Sequence, residues 1–416
     1  MGGLVVSPVD AIRRDPRWYH DVLGAGLLAL AALTLTVAWA GTNTVQPPPV
    51  AWTVFVGAGL CSWLFLISAA RSAQLAAVDG AELRGLLLVA MLLAQVGFVL
   101  RLSSREPWVA GLEWAVFLLA ALLFLAAHEA GRRAVPIRVW AVVVGVLFAG
   151  ATAAVILTPH TPHPHIPQGP RLYWQQTMPA AVLAAALAGA IALCFVWRPE
   201  GFRREAIRAH VVAVPPLAVY AFTRDPGAAV LMCGATAGVV FAAGRLVWGM
   251  TWPATLRPLA TGVTATAAVA TVLRLIDPER IFSVPPVPPE RDLIGVWQAE
   301  GAVPLTAVGG RGAAAVLTLL VVVFAGQVSL LVARALRPDD RRTGTRAFQQ
   351  VWAVALGGQV LVSLLAPLLI EAFRLPGPST LTALPFAGDG ASFVLTFAAL
   401  GMTFAAAQHP DGSTAG

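Results

Sequence analysis

The chain contains no lysine: all 28 basic residues among its 416 are arginine. A compositional bias of the source, visible also in the abundance of Ala, Gly and Val, accounts for this without any selection for guanidinium chemistry. Charge of either sign is scarce. Only 12% of residues are charged and 58% are hydrophobic, against roughly 25% charged in an ordinary soluble domain, which excludes a soluble globular protein and makes this an integral membrane protein. Cysteine is nearly absent. Cys61, Cys194 and Cys233 each fall inside an apolar run with no partner nearby, which argues against a disulfide framework or a metal cluster and reads them as small core residues. The net charge of +7 suits inner loops facing anionic lipid headgroups and needs no nucleic-acid partner. No fixed-period repeat and no sizeable soluble segment occurs. The first apolar run follows the polar start VDAIRRDPRWYHD without a small-residue cleavage site, so a retained anchor and a mature chain beginning near Met1 are expected.

What is present is a series of apolar runs long enough to cross a hydrocarbon layer of about 30 Å. They lie near 22–41, 50–70, 84–103, 108–128, 138–158, 177–197, 209–222, 227–247, 255–275, 313–334, 347–370 and 391–407, twelve candidate spans in all. The weakest is 209–222, which is short and carries Pro215-Pro216. Such a break is tolerated where neighbouring helices or water satisfy the freed carbonyls. With an even number of spans and the N-terminus inside, nineteen arginines fall on inner segments and nine on outer ones, which obeys the positive-inside rule. The fold class expected is therefore an all-α, polytopic integral membrane helical bundle of about twelve transmembrane helices with both termini cytoplasmic. Residues 1–21 form an inner N-terminal segment, 22–407 a single transmembrane domain, and 408–416 an inner tail.

Two outer loops, 159–176 and 276–312, exceed what a simple connection needs, and long loops in compact folds are usually functional or disordered. In the first, His160, His163 and His165 have spacing that could hold zinc, but no Cys, Asp or Glu stands beside them and prolines restrict their convergence, so a solvated loop is the better reading. The second contains VPPVPPE, an extended spacer. It also contains Asp292 and Glu300 in RDLIGVWQAEG. An outer carboxylate with a pKa raised by partial burial could act as general base toward a sugar hydroxyl, although solvated loop carboxylates are commoner. TRDPGAAVL at 223–231 sets Arg224 and Asp225 at the outer mouth between two spans. It reads as a tight turn with Asp225 capping the next helix, and equally as an ion pair at a cavity rim. Among the remaining acids, Glu113 lies deep in an apolar run, where a carboxylate is costly, and Glu129 lies near the interface.

With these segments placed, the chain resembles the SEDS family, the FtsW/RodA/SpoVE-type membrane proteins of cell elongation, division and sporulation. LTALPFAGDGASFVLTFAALG keeps the family's Pro385, Phe386, Gly390, Ser392 and Ala399-Leu400-Gly401, while Asp389 falls where the family usually has tyrosine. TRDPGAAVL is similar to a second family segment at Asp225 and Gly227. YWQQTMPAAVLAAALA is a weaker third match, keeping a glutamine at Gln175 or Gln176 but no glutamate. The resemblance covers roughly residues 50 to 407, with two leading spans beyond the family's usual ten.

The resemblance implies a glycosyltransferase that polymerises lipid II, an undecaprenyl-linked precursor, on the outer face of the bacterial inner membrane, usually with a class B penicillin-binding protein. In that picture an outer-loop aspartate activates the acceptor hydroxyl, and the leaving pyrophosphate needs arginine or a divalent metal ion. Two registers are open for that aspartate. One preserves Asp292 and Glu300 but leaves surplus residues before the next helix; the other aligns AVGGRGAAAVL, suits the loop length and puts Ala302 at the aspartate position. The implied catalytic residues are thus Asp292 and Glu300, and the implied substrate-binding residues are Arg224, Asp225, Gln176, Arg280, Arg291, Asp389 and Ser392. Two further readings stand beside the enzyme: a catalytically degenerate relative that serves as a membrane scaffold for a cell-wall synthase, and a lipid-linked sugar transporter.

Overall fold

A computed structural model describes residues 107–133, 135–157, 179–197, 199–222, 226–251, 253–257, 310–337, 344–373 and 390–408. The chain divides into two compact units, Met1–Trp114 and Ala115–Gly416, and nearly all described residues belong to the second. They are built from α1 (Pro107–Arg132), α2 (Ile137–Leu157), α3 (Pro179–Val196), α4 (Phe202–Phe222), α5 (Pro226–Leu246), α6 (Gly310–Ala335), α7 (Gly344–Phe373) and α8 (Gly390–Ala407), with no strand among the described residues. Proline marks the helix starts. α1, α3 and α5 each begin on one, where the fixed φ suits a helix and the missing N–H would have lacked a partner anyway. Pro136 precedes α2 and its carbonyl accepts from Val139 N at 2.9 Å.

Three described stretches, Ile137–Val155, Thr318–Ala335 and Gly344–Leu365, are long and apolar enough to cross a membrane, and Ala181–Val196, Leu231–Leu246 and Val394–Ala407 are shorter apolar helices. The chain is a polytopic helical membrane protein. The expected spans 22–41, 50–70 and 84–103, nearly all of 255–275 and the last eight residues lie outside the described residues. Where the two can be compared, apolar runs and helices agree within a few residues, except at α4. That helix begins at Phe202, well before the expected 209, and runs unbroken through Pro215 and Pro216. The charged start FRRE conceals it from a hydropathy reading, although Arg204 pairs with Glu200 and Glu205 with Arg208. Each internal proline costs about 3 kcal/mol relative to alanine in a helix, and the pair removes the N–H partners of the Val211 and Val212 carbonyls.

The bundle is organised around α7, which packs against α3, α5, α6 and α8. From Ala347 to Leu356 every residue of α7 is buried, so it has no lipid-facing side over that length. Burial of a polar side chain is tolerated only with hydrogen bonds, and α7 makes them to the backbones of its neighbours. Gln349 Nε2 donates to Ala130 O at 2.9 Å and Arg133 O at 3.0 Å, at the end of α1. Gln350 donates to Ala335 O at the end of α6. Trp352 Nε1 donates to Ala185 O at 3.0 Å and Gln359 Nε2 to Ala184 O at 3.1 Å, both on α3. Thr403 Oγ1 of α8 donates to Ala353 O at 2.9 Å. Glycines permit the close approaches. A Cβ on Gly401 of α8 would stand 2.3 Å from Phe124 O of α1, and one on Gly357 of α7 would stand 2.6 Å from Val332 Cγ2 of α6.

These contacts also fix the direction of each helix. The ends of α1 and α6 meet the start of α7 through Gln349 and Gln350. The end of α8 meets the end of α1, where His128 Nε2 lies 3.2 Å from Gln408 Oε1. The end of α3 meets the start of α7 at Val196 and Gly344, and the start of α2 joins them through Trp140, 5.6 Å from the Trp352 ring. The start of α4 meets the end of α5 through Phe202 and Trp248. One end of the bundle therefore gathers the C-termini of α1, α3, α5, α6 and α8 with the N-termini of α2, α4 and α7. The other end gathers the starts of α3, α5, α6 and α8.

Candidate functional site

The four helices that start together are those preceded by the residues singled out from the sequence. Gln176 lies shortly before α3, and Arg224 and Asp225 immediately before α5. Arg280, Arg291, Asp292 and Glu300 all fall in the connection that leads into α6, and Asp389 immediately before α8. Ser392 falls in the first turn of α8. The other eight lie outside the described residues, as do the three loop histidines, so distances among these groups are not part of the fold as described. What the helices establish is that the chain segments carrying them connect to one end of the bundle. The side chains of Glu113 and Cys61 likewise lie outside the description. Cys194 is half-buried and Cys233 buried.

The opposite end is rich in arginine. Arg132, Arg133, Arg138, Arg203, Arg204, Arg208, Arg245, Arg257, Arg334, Arg337 and Arg346 all belong to it, with Glu129, Glu200 and Glu205 as the described acids there. Its best-defined polar feature is a clasp at the start of α4. Glu205 is 0% exposed, and its Oε1 accepts from Arg208 Nη1 at 2.8 Å and from the backbone N–H of Glu200 at 3.2 Å. Glu200 accepts from Arg208 Nη2 at 3.1 Å and also pairs with Arg204. These hydrogen bonds, Arg208's first, hold the Glu200 carboxyl below the usual carboxylate range, and Glu200 in turn raises Arg208. Glu129 is paired as expected for an interfacial acid: Arg133 Nε donates to it at 2.8 Å and lowers its pKa. The clasp closes the first turn of α4 on itself, and Phe202 docks between Phe195 and Trp248 at 5.9 and 6.5 Å between ring centroids.

No protein-family model and no curated protein matches the chain. Solved structures do. The rod shape determining protein RodA of Thermus thermophilus superposes with a TM-score of 0.53 at 18% identity, covering 78% of this chain and 95% of that one. The fold is RodA-like. An aspartate-to-alanine variant of that RodA gives 0.52 at 17% identity, over 78% of this chain and 96% of the variant. A chain of a peptidoglycan synthase complex, described as coordinating polymerization and crosslinking, gives 0.51 at 18% identity over 78% and 96%. A likeness at this identity carries the architecture, and the SEDS resemblance read from the C-terminal motif agrees with it.

The residues that sequence reasoning passed over are the ones that tie the RodA-like bundle together. Gln349, Gln350 and Gln359 bridge α7 to three neighbours. Their signal was available, since an amide inside an apolar run has to find a partner in lipid. Glu205 was hidden for the opposite reason: it sits in a charged stretch that looks solvated, and its complete burial depends on Arg208 three residues later. Among the described residues no group of three His, Cys, Asp or Glu converges to hold a metal ion.

Proposed function

We propose that this chain is a SEDS-type protein of bacterial cell-wall synthesis in the inner membrane, acting as a lipid II glycosyltransferase on the outer face. The observation that carries the reading is the RodA-like fold over 95% of the length of RodA. The convergence of the starts of α3, α5, α6 and α8 on the arginine-poor end supports it. We read the arginine-rich end as cytoplasmic by the positive-inside rule, and with it both termini as inside and the candidate loops as outside. In this mechanism Asp292 takes the proton of the acceptor sugar hydroxyl as its oxygen bonds to the donor's anomeric carbon. The bond from that carbon to the undecaprenyl pyrophosphate breaks, and Arg224, Arg280 and Arg291 meet the negative charge that leaves. Glu300 is the second catalytic carboxylate beside Asp292, and Asp225, Gln176, Asp389 and Ser392 bind the sugars. A class B penicillin-binding protein is the partner, by analogy with the synthase complex that shares the fold.

The test is polymerisation of labelled lipid II by the purified chain, with and without a class B penicillin-binding protein, alongside Asp292→Ala. The enzyme reading requires glycan from the wild type and a loss of at least about a hundredfold in the variant, the scale expected when a general base is removed. No glycan under either condition overturns it, and undiminished activity in the variant removes Asp292 as the base. A second reading, a scaffold that kept the bundle and lost the chemistry, is favoured by Asp389 at a family tyrosine and by the register that places Ala302 at the family aspartate. It requires binding to the synthase partner with no glycan formed.

A further inference from the structure

α4 turns Glu205, Ala209, Ala213 and Pro216 to the bundle, and its outward side is equally continuous. At 3.6 residues per turn, Arg203, Arg204, Ile207, Val211 and Val214 fall within a sector of about 100°, and all five are exposed. The three apolar side chains in it belong to residues that are each more than half exposed. Read from its start, the outward face is therefore basic for one turn and apolar thereafter. From Ile207 to the exposed Ala218 the apolar part extends about 16 Å, close to half of a hydrocarbon core of about 30 Å. Trp197, 42% exposed just after α3 at the same end of the bundle, marks the headgroup level at which tryptophan collects. The basic turn also has donors to give. Among the described residues no acid pairs with Arg203. Arg204 pairs with Glu200, yet its side chain stays 73% exposed. The clasp draws on Arg208, which bridges Glu200 and Glu205. Two adjoining guanidiniums suit a phosphate group, which accepts paired N–H bonds.

From this face we propose that α4 carries a binding site for an anionic phospholipid of the leaflet at the arginine-rich end. Arg203 and Arg204 hold the phosphate, and Ile207, Val211 and Val214 carry an acyl chain. A zwitterionic headgroup brings its own ammonium, which the two guanidiniums repel, so the site selects for net negative charge. It lies at the end of the bundle opposite the candidate loops and does not depend on the function proposed above. Arg138 supplies the contrast: it is exposed at the start of α2, at the same end, as a single arginine on another helix.

The experiment reconstitutes the full chain in phosphatidylcholine vesicles that carry a small fraction of a photoactivatable lipid with a diazirine in its acyl chain. The headgroup is either phosphatidylglycerol or phosphatidylethanolamine, and tandem mass spectrometry reads the insertion yield between Ile207 and Ala218. Phosphatidylglycerol should label this stretch at least about threefold more than phosphatidylethanolamine. Arg203→Gln with Arg204→Gln should bring it down to the phosphatidylethanolamine yield, Arg203→Lys with Arg204→Lys should keep part of the excess, and Arg138→Gln should leave it intact. The phosphatidylethanolamine yield of the double glutamine variant reports whether α4 still presents this face. Should that yield fall as well, Arg203→Gln alone decides: it breaks no ion pair of the described structure and should still cut the excess by about half. Equal labelling by the two lipids in the wild type overturns the site, because the face is then bathed in bulk lipid. No labelling by either lipid overturns it too, because protein then covers the face. So does an excess that survives both glutamine variants, and so does an equal loss in Arg138→Gln, which would trace the excess to the general field of the basic end.

Discussion

α7 and α4 are both unbroken helices of the same bundle, yet they are held in opposite ways. α7 is buried on every side from Ala347 to Leu356 and hydrogen-bonds to the backbones of α1, α3 and α6, while its own backbone accepts from α8. α4 packs mainly on α3 and α5, burying Ala209, Ala213 and Pro216, and carries a cluster of ions at its first turn. In a membrane the apolar contribution distinguishes helix from lipid only weakly, so polar bridges and close backbone approach decide which helices are fixed. The difference teaches that α7 is the frame of the described bundle, whereas α4 is tied in by ions at its first turn.

The contrast can be broken at several points, in falling order of effect. Gly357→Leu should be the most damaging, because even its Cβ would meet Val332 Cγ2 at 2.6 Å and Thr403 at 3.0 Å. Overpacking of this kind costs about 1–3 kcal/mol or more, read as a large drop in melting temperature or in the yield of folded protein in detergent. Gln349→Leu should cost about 1–2 kcal/mol by removing its donors from Ala130 O and Arg133 O; thermal melts compare it with Gln349→Glu, which keeps the shape and lacks the amide. Val211→Ala, at a position 63% exposed on α4, should change stability by less than about 0.5 kcal/mol. A larger loss would mean that a further helix covers that face.

The smallest expected effect is a pH dependence at the clasp. The folded-state pKa of Glu200 lies below its unfolded value, so its contribution is complete above the unfolded value and disappears as pH falls through the folded one. Melting temperature should therefore decline on the acid side, and Glu200→Gln should flatten that limb slightly, as suits an exposed ion pair. An unchanged acid limb in the variant would remove the clasp as a contributor.

Much of the helix plan was legible because an apolar run of bilayer length has few other uses: α1, α2, α3, α5, α6, α7 and α8 all coincide with runs read from hydropathy. The start of α4 was not, because hydropathy assigns Arg203, Arg204 and Glu205 to water, whereas Arg208 neutralises Glu205 at 2.8 Å and allows its burial. The bridging glutamines were visible as residues but not as contacts. Gln349 reaches carbonyls more than two hundred positions earlier, and no local pattern encodes such a partner. The candidate site was legible only in its connectivity. Arg224, Asp225 and Asp389 directly adjoin helix starts that the bundle brings to one end. The arrangement of Asp292 and Glu300 depends instead on a long connection with two competing registers, one keeping the acids and the other keeping the length.

Five helices finish at the arginine-rich end, and the last turns of three of them carry Arg132, Arg245 and Arg334. A helix C-terminus holds about half a negative elementary charge, and a cation in its last turn is worth about 0.3–1 kcal/mol. Arg245 adds a direct bond, with Nη1 donating to Met250 O at 2.6 Å. The arginines counted by the positive-inside rule are thus also the counter-charges of the helix macrodipoles. Changing such an arginine to a neutral residue weakens topology and helix end together, so the two properties are inherited, and lost, as one.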